Sequence, residues 1–350
     1  MTSAAGGGPG DDGQGWHRHL TLLEGWRAFL GHDPDHPALL PAAARKQLAE
    51  EDRLAYDEQR MAYHIRLGVI QTPMLAEVLQ AGRLLTLLNR EAVSARRGLI
   101  LSGPAGTGKT TAVTQLGKRH EITSQRRHPH DLPGSRIPVV YVTVPPAATP
   151  RMLAAEFARF LGLPVIARAN ITDIIEAVCG VLIDCRTSLV LCDEIHNLQI
   201  STRAGAEVSD TLKYFSERIP ATFVYAGIDV ENAGLFTGTR GQQIAGRFTM
   251  ITARPFACTA QWRSIVATFD TALLLYQHTP GDLAGLGRYL HDRTGGMIGS
   301  LSHLIRGAAI QAILTGTEKI TKKMLETITL DHAAEQRAAQ DSAPGRKARP

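Results

Sequence analysis

Cysteine is scarce in this chain of 350 residues: there are four, Cys179, Cys185, Cys192 and Cys258, in no CxxC pair and at no spacing that matches a histidine. Neither a zinc framework nor a disulfide scaffold is therefore predicted, and the thiols read as buried packing groups. Long apolar runs are missing as well. With no stretch of 18 uninterrupted apolar residues, and with a start, "MTSAAGGGPGDDGQG", that has neither basic residues nor an apolar core, no membrane span and no secretory leader are expected. A cytoplasmic protein is the expectation. The sequence also shows no internal repeat and no base-reading helix-turn-helix or zinc finger, so any nucleic-acid binding should be largely independent of base sequence and sensitive to salt.

What is present is a 44% apolar composition, enough for a sizeable core in one large or two unequal domains. The net charge of +5 is unevenly spread. Residues 1–60 carry 6 Lys and Arg against 10 Asp and Glu, whereas the remainder carries 32 against 23. This surplus favours a polyanionic partner for the main body.

Hydrophobic periodicity divides the chain into five parts. Residues 1–15 are Gly-rich, polar and expected to be disordered, and 16–95 form a helical N-terminal extension that includes "PMLAEVLQAGRLLTLLNREAV". From 96 to 257, short continuous apolar runs ("GLILS", "IPVVYVTV", "SLVLCDE", "ATFVYAG", "FTMIT") alternate with amphipathic helices. Such runs are strands buried on both faces, and helices between them demand parallel crossovers, so the fold class is α/β, a parallel sheet flanked by helices. Residues 258–330 read as all-helical, with segments over 259–278, 282–294, 298–314 and 321–328, and suggest a helical lid; 331–350 form a short helical end and a basic tail.

Behind the first strand lies "GPAGTGKTT", Gly103, Pro104, Ala105, Gly106, Thr107, Gly108, Lys109, Thr110 and Thr111, which fits GxxxxGK[ST] in the strand–loop–helix context that the motif requires. Glycines let backbone amides turn inward around a phosphate, Lys109 reaches its outer oxygens, and the Thr110 hydroxyl suits Mg²⁺. "LVLCDEIHNL" brings Asp193 and Glu194 to the carboxyl end of another buried strand, Asp193 for the metal and Glu194 to polarise an attacking water. ATP and Mg²⁺ are the expected cofactors, and hydrolysis to ADP and phosphate the expected reaction. Positive charge at the γ-phosphate is expected from "TGTRGQQIAGRF", with Arg247 preferred over Arg240 as an arginine finger acting on an adjoining subunit.

Together "GPAGTGKTT", "LVLCDEIHNL", "SDTLKYFSERIPATFVYAGID", "QIAGRF" and "RTGGMIGSLSHLIRGAA" resemble the TniB/TnsC family of AAA+ ATPases, which accompany DDE transposases in bacterial mobile elements. The resemblance spans about residues 60–330. It implies an AAA+ P-loop fold, ATP held between subunits, homo-oligomers on double-stranded DNA, and a transposase, with or without a target-selection protein, as partner. It matches Lys109 and Thr110 to the Walker A pair, Asp193 and Glu194 to the Walker B pair, and Arg247 to the arginine that ends the following helix. Two positions depart from the family pattern: Gly227 is followed by Ile228 and Asp229 in place of a small polar sensor, and "GGMIGSL" has no sensor-2 arginine, for which Arg293 or Arg306 would stand in.

Candidates for DNA contact are Lys118, Arg119, Arg126, Arg127 and Arg136 in "GKRHEITSQRRHPHDLPGSR", read as a basic loop that tracks phosphates or as an ordinary solvated one. "RLGVIQTP" lies where AAA+ proteins grip adenine, with Val69 and Ile70 either sandwiching the base or packing helices. His128 and His130 read as loop residues. Trp26, Trp262 and Tyr225 read as core. His196 either links the acids to "QISTRAGAE" or caps its own turn. A replication-initiator or helicase-loader ATPase, and a signalling NTPase without DNA, are the competing readings.

Overall fold

A computed structural model describes residues 19–31, 36–132, 134–165, 168, 170–198, 203–231, 246–332 and 334–336, with 203–206 as backbone alone. Residues 1–15, Arg240, most of the basic tail and the start of the "QISTRAGAE" loop lie outside these. The chain divides into two compact units, neither continuous in sequence: Met1–His32, Ala81–Ile100 and Val113–Met250 in one, Asp33–Gln80, Leu101–Ala112 and Ile251–Pro350 in the other.

The sheet has five strands, β1 (Gly98–Ser102), β2 (Val139–Thr143), β3 (Leu189–Asp193), β4 (Thr222–Gly227) and β5 (Phe248–Thr252), in the order β2-β3-β4-β1-β5. It is parallel, with Tyr141 opposite Leu191 and Leu191 opposite Val224. Every residue of β1, β3 and β4 is buried, as their unbroken apolar runs require in a sheet covered on both faces. The connecting helices are α5 (Lys109–Arg127), α6 (Pro150–Phe160), α7 (Ile171–Asp184) and α8 (Arg203–Arg218). Thr149 caps α6 by accepting from the Met152 amide at 3.2 Å, with Pro150 preset for the first turn, and Asn170 caps α7 in the same way. In the first unit, α1 (Leu23–Gly31) inserts the fully buried Trp26, whose ring stacks on Tyr141 at 6.1 Å. Gly117 lets α5 approach: a Cβ there would lie 2.6 Å from Trp26 and 2.8 Å from Leu191.

The second unit is largely helical. It holds α2 (Ala42–Gln47), α3 (Glu50–Ile65), the start of α4 (Pro73–Leu88), and α9 (Ala260–Thr271), α10 (Gly287–Thr294), α11 (Ile298–Leu314) and α12 (Lys322–Thr327). Trp262, Phe269, Leu290, Leu304 and Ile305 form its core, against which Met61 and Ile70 pack.

Two expectations change. The helix predicted over 259–278 ends at Thr271, because the Asp270 carboxylate accepts from the amides of Gly281 and Leu283 and so turns the chain. The Leu274 carbonyl then receives Arg60 at 3.0 and 3.2 Å, and the Leu274 amide donates to His64 Nε2 at 3.2 Å. The stretch 117–136, expected as a loop, is helical as far as Arg127, since Gly117 sits inside α5 where close packing demands it. Lys118 Nζ donates to the Phe29 carbonyl at 3.2 Å and Arg136 pairs with Asp131 at 2.6 Å; Arg119, Arg126 and Arg127 are exposed on α5.

Candidate functional site

The loop after β1 has the backbone that its glycines permit. Gly106 and Gly108 take φ of 77° and 88°, and a Cβ on Gly103 would come 2.1 Å from the Ala253 carbonyl oxygen. Thr107 is buried and its hydroxyl donates to the Pro104 carbonyl at 2.8 Å, closing the loop on itself. Lys109 opens α5 and folds back, Nζ donating to the carbonyls of Gly103 (2.8 Å) and Pro104 (2.7 Å). Thr110 and Thr111 follow on the exposed side of the first turn. A glycine loop with left-handed turns, a helix N-terminus and an ammonium are together the groups that phosphate oxygens take.

The same unit supplies walls. The Gly299 amide donates to the Gly106 carbonyl at 2.9 Å, and a Cβ on Gly108 would touch Ile298 at 3.3 Å and Met74 at 3.8 Å. The first turns of α11 and α4 thus border the loop, which explains the "GMIG" spacing that sequence reading matched only by resemblance. Val69 is exposed, whereas Ile70 packs against the helical core.

The acids lie at the end of β3, in the other unit. Asp193 is 2% exposed; its Oδ2 accepts from the Tyr141 hydroxyl at 3.1 Å and its Oδ1 from the Glu194 amide at 2.8 Å. Burial, and next the Asp193 carboxylate, push the Tyr141 phenol well above its ordinary range, so it stays a donor. Glu194 differs sharply. It is left-handed at φ 58° and ψ 34°, and its side chain is 44% exposed with Oε2 3.3 Å from His196 Nε2. One acid is thus locked in place and the next presented, the division that a cation-bearing and a water-polarising carboxylate need. Tyr141 was missed in the sequence, although it is the one hydroxyl-bearing aromatic in the β2 run and stands beside β3.

Arg247 stands at the amino end of β5, where its carbonyl accepts from the Gly98 amide at 3.1 Å and its guanidinium lies 3.6 Å from Glu217. A strand of this length spans about 15 Å, so Arg247 and Asp193 occupy opposite ends of the sheet. The two substitutes for a sensor are engaged in the second unit: Arg293 pairs with both carboxylate oxygens of Glu335 at 2.6 and 2.8 Å, and Arg306 donates to the His64 carbonyl. Among the described residues no three His, Cys, Asp or Glu side chains converge as a metal cage, and His128 and His130 are exposed. Carboxylate and hydroxyl oxygens such as those of Asp193 and Thr110 are the donors that Mg²⁺ takes, with phosphate and water completing its shell.

The family model described as "Bacterial TniB protein" matches residues 60–257, more than half of the chain. The chain belongs to the TniB family. No curated protein matches this TniB family member. Among solved structures it is similar to the ORC2 protein of Aeropyrum pernix, solved as ADPNP–ADP complexes, with 18% identity and a TM-score of 0.56 over 78% of this chain and 68% of that one. It is also similar to the ORC1 protein of the same organism in complex with DNA (16% identity, TM-score 0.58, 80% and 69%) and to Cdc6p of Pyrobaculum aerophilum (17%, 0.51, 72% and 65%). At these identities the likeness shows the fold: this TniB family member has the AAA+ P-loop NTPase fold expected from its sequence. Among the described residues no helix is long and apolar enough to cross a membrane.

Proposed function

We propose that this TniB family member is an ATPase that assembles on duplex DNA and recruits or activates a transposase, with ATP hydrolysis releasing the assembly. The observation that carries the reading is the contrast at the end of β3, Asp193 buried and doubly hydrogen-bonded beside a strained, presented Glu194. A mere nucleotide-holding site needs the first and not the second.

In this reading Gly103 to Thr111 bind the phosphates, Lys109 exchanging its loop carbonyls for phosphate oxygens, and Thr110 and Asp193 are the residues that would hold Mg²⁺, which when bound would supply positive charge against that of the phosphates. Glu194 orients and polarises the attacking water. Residues 258–330 act as a lid through the Gly299 contact to the loop. Arg247 serves the nucleotide of a neighbouring copy, which its position across the sheet from Asp193 favours over service to its own. Arg119, Arg126 and Arg127 contact phosphates of the DNA, a sequence-independent mode.

The similar ORC2 structure holds ADPNP and ADP and the similar ORC1 structure holds DNA, and both support nucleotide-governed DNA binding. The test is retention on duplex DNA with and without ATP across a salt series, followed by transposition assays with a DDE transposase. ATP-dependent retention that falls steeply with salt, and loss of transposition in the Lys109→Ala protein, are expected. ATP-independent behaviour in both assays would refute the proposal.

A further inference from the structure

We infer that His196 is a positioning residue for Glu194, tying the water-polarising acid to the end of β4. The inference deepens the hydrolytic reading above and rests on it.

The short turn Ile195–Asn197 that follows Glu194 is fastened on two sides. Asn197 Nδ2 donates to the Val144 carbonyl at 2.8 Å, just beyond β2, while Val144 itself donates its amide to the Asp193 carbonyl at 2.9 Å. On the other side the Ile228 amide, next after the last residue of β4, donates to His196 Nδ1 at 3.3 Å. An imidazole nitrogen that accepts from an amide carries no proton. In the neutral ring the proton then resides on Nε2, which lies 3.3 Å from Glu194 Oε2. The tautomer is therefore set by β4 and read out by the acid.

Glu194 needs such a partner. Its left-handed backbone is costly for a residue with a Cβ, and a half-exposed glutamate otherwise samples several rotamers. Gly227 allows the approach: a Cβ there would lie 3.0 Å from the His196 amide nitrogen and 2.7 Å from Ile195. The strand end that has Gly227-Ile228-Asp229 in place of a polar sensor thus has its link to the acid through a backbone amide and His196.

The experiment measures steady-state ATP hydrolysis and nucleotide affinity for the parent, Glu194→Gln, His196→Ala, His196→Asn, His196→Gln and the Glu194→Gln/His196→Ala double variant. Asn retains an acceptor for the Ile228 amide and falls short of Glu194; Gln extends a donor to Glu194. Expected are a roughly tenfold fall in kcat for His196→Ala and His196→Asn with KM within twofold of the parent, substantial retention by His196→Gln, and a double variant no slower than Glu194→Gln. Unchanged or raised kcat in His196→Ala, a rise in KM alone, or additive losses in the double variant would overturn the inference. Hydrolysis by Glu194→Gln at the parental rate would instead overturn the hydrolytic reading itself, so the two failures are distinct.

Discussion

The amide of Gly299, in the first turn of α11, donates to the carbonyl of Gly106 at the crest of the glycine-rich loop, 2.9 Å away. A Cβ on Gly299 would stand 3.1 Å from that oxygen and 3.2 Å from the Gly106 Cα, so a branched residue forces loop and helix apart. Gly299→Val is expected to weaken ATP binding by about tenfold and to lower stability by about 1–3 kcal/mol, the usual range for overpacking. Equilibrium binding of a fluorescent ATP analogue and thermal unfolding check the two effects.

Arg247, at the amino end of β5, carries the trans-acting part of the proposal. Arg247→Ala is expected to bind ATP with parental affinity and to hydrolyse it at least a hundredfold more slowly. Mixed with Lys109→Ala, which offers an intact arginine and an empty loop, it should regain part of its activity. An ATPase titration of one variant against the other measures this, and absence of recovery would confine Arg247 to a cis or structural role.

Arg60 is fully buried and its guanidinium binds Glu318 at 2.5 and 3.0 Å, Asp57 at 2.8 Å and the Leu274 carbonyl. Removing Glu318 leaves the buried guanidinium with Asp57 as its one carboxylate partner and two donor directions unmet. Glu318→Ala is expected to cost about 3–5 kcal/mol in chemical denaturation, whereas the simultaneous change of Arg60→Met and Glu318→Leu should cost much less.

Glu121 and His120 are neighbours on α5 with opposite pH behaviour. Burial, only partly offset by the Trp26 indole, raises the Glu121 carboxyl from 4.5 to about 7. For an acid raised on folding, the native state binds the extra proton, so stability falls as pH climbs from about 4.5 to 7 and the loss is complete above that window. Glu121→Gln should remove this loss, on the order of 3 kcal/mol, and make the variant more stable than the parent at pH 8. Burial lowers His120 from 6.5 to about 4, and His64 likewise. Their contribution is intact above 6.5 and is lost as pH falls towards 4. The two windows overlap with opposite sign, so denaturant unfolding of parent and Glu121→Gln at a series of pH values isolates the carboxyl in the difference between them, and the histidines in what the variant retains.

Strands β1 to β4 were legible because they are almost wholly buried, so "GLILS", "VVYVT", "LVLCD" and "TFVYAG" stand out as apolar runs between amphipathic helices; β5, expected to be buried in the same way, stands at the edge of the sheet with most of its residues exposed. The phosphate loop was legible because its glycines answer a backbone demand that few other residues meet. Less visible were features set by distant partners. The end of α9 depends on what the Asp270 carboxylate accepts eleven and thirteen residues later, and the helical state of 117–127 on a close approach at Gly117 to Trp26 and Leu191. Tyr141 and Gly299 belong to the same class. Each matters through a contact across more than fifty residues, which local pattern does not encode.

The central claim is that a triphosphate joins copies of this TniB family member on DNA. Mass photometry of the purified protein with duplex DNA, with and without a slowly hydrolysed ATP analogue, addresses it directly. Multimers that form only with both analogue and DNA, and that Lys109→Ala fails to form, are expected. A single-copy mass under every condition would contradict the claim.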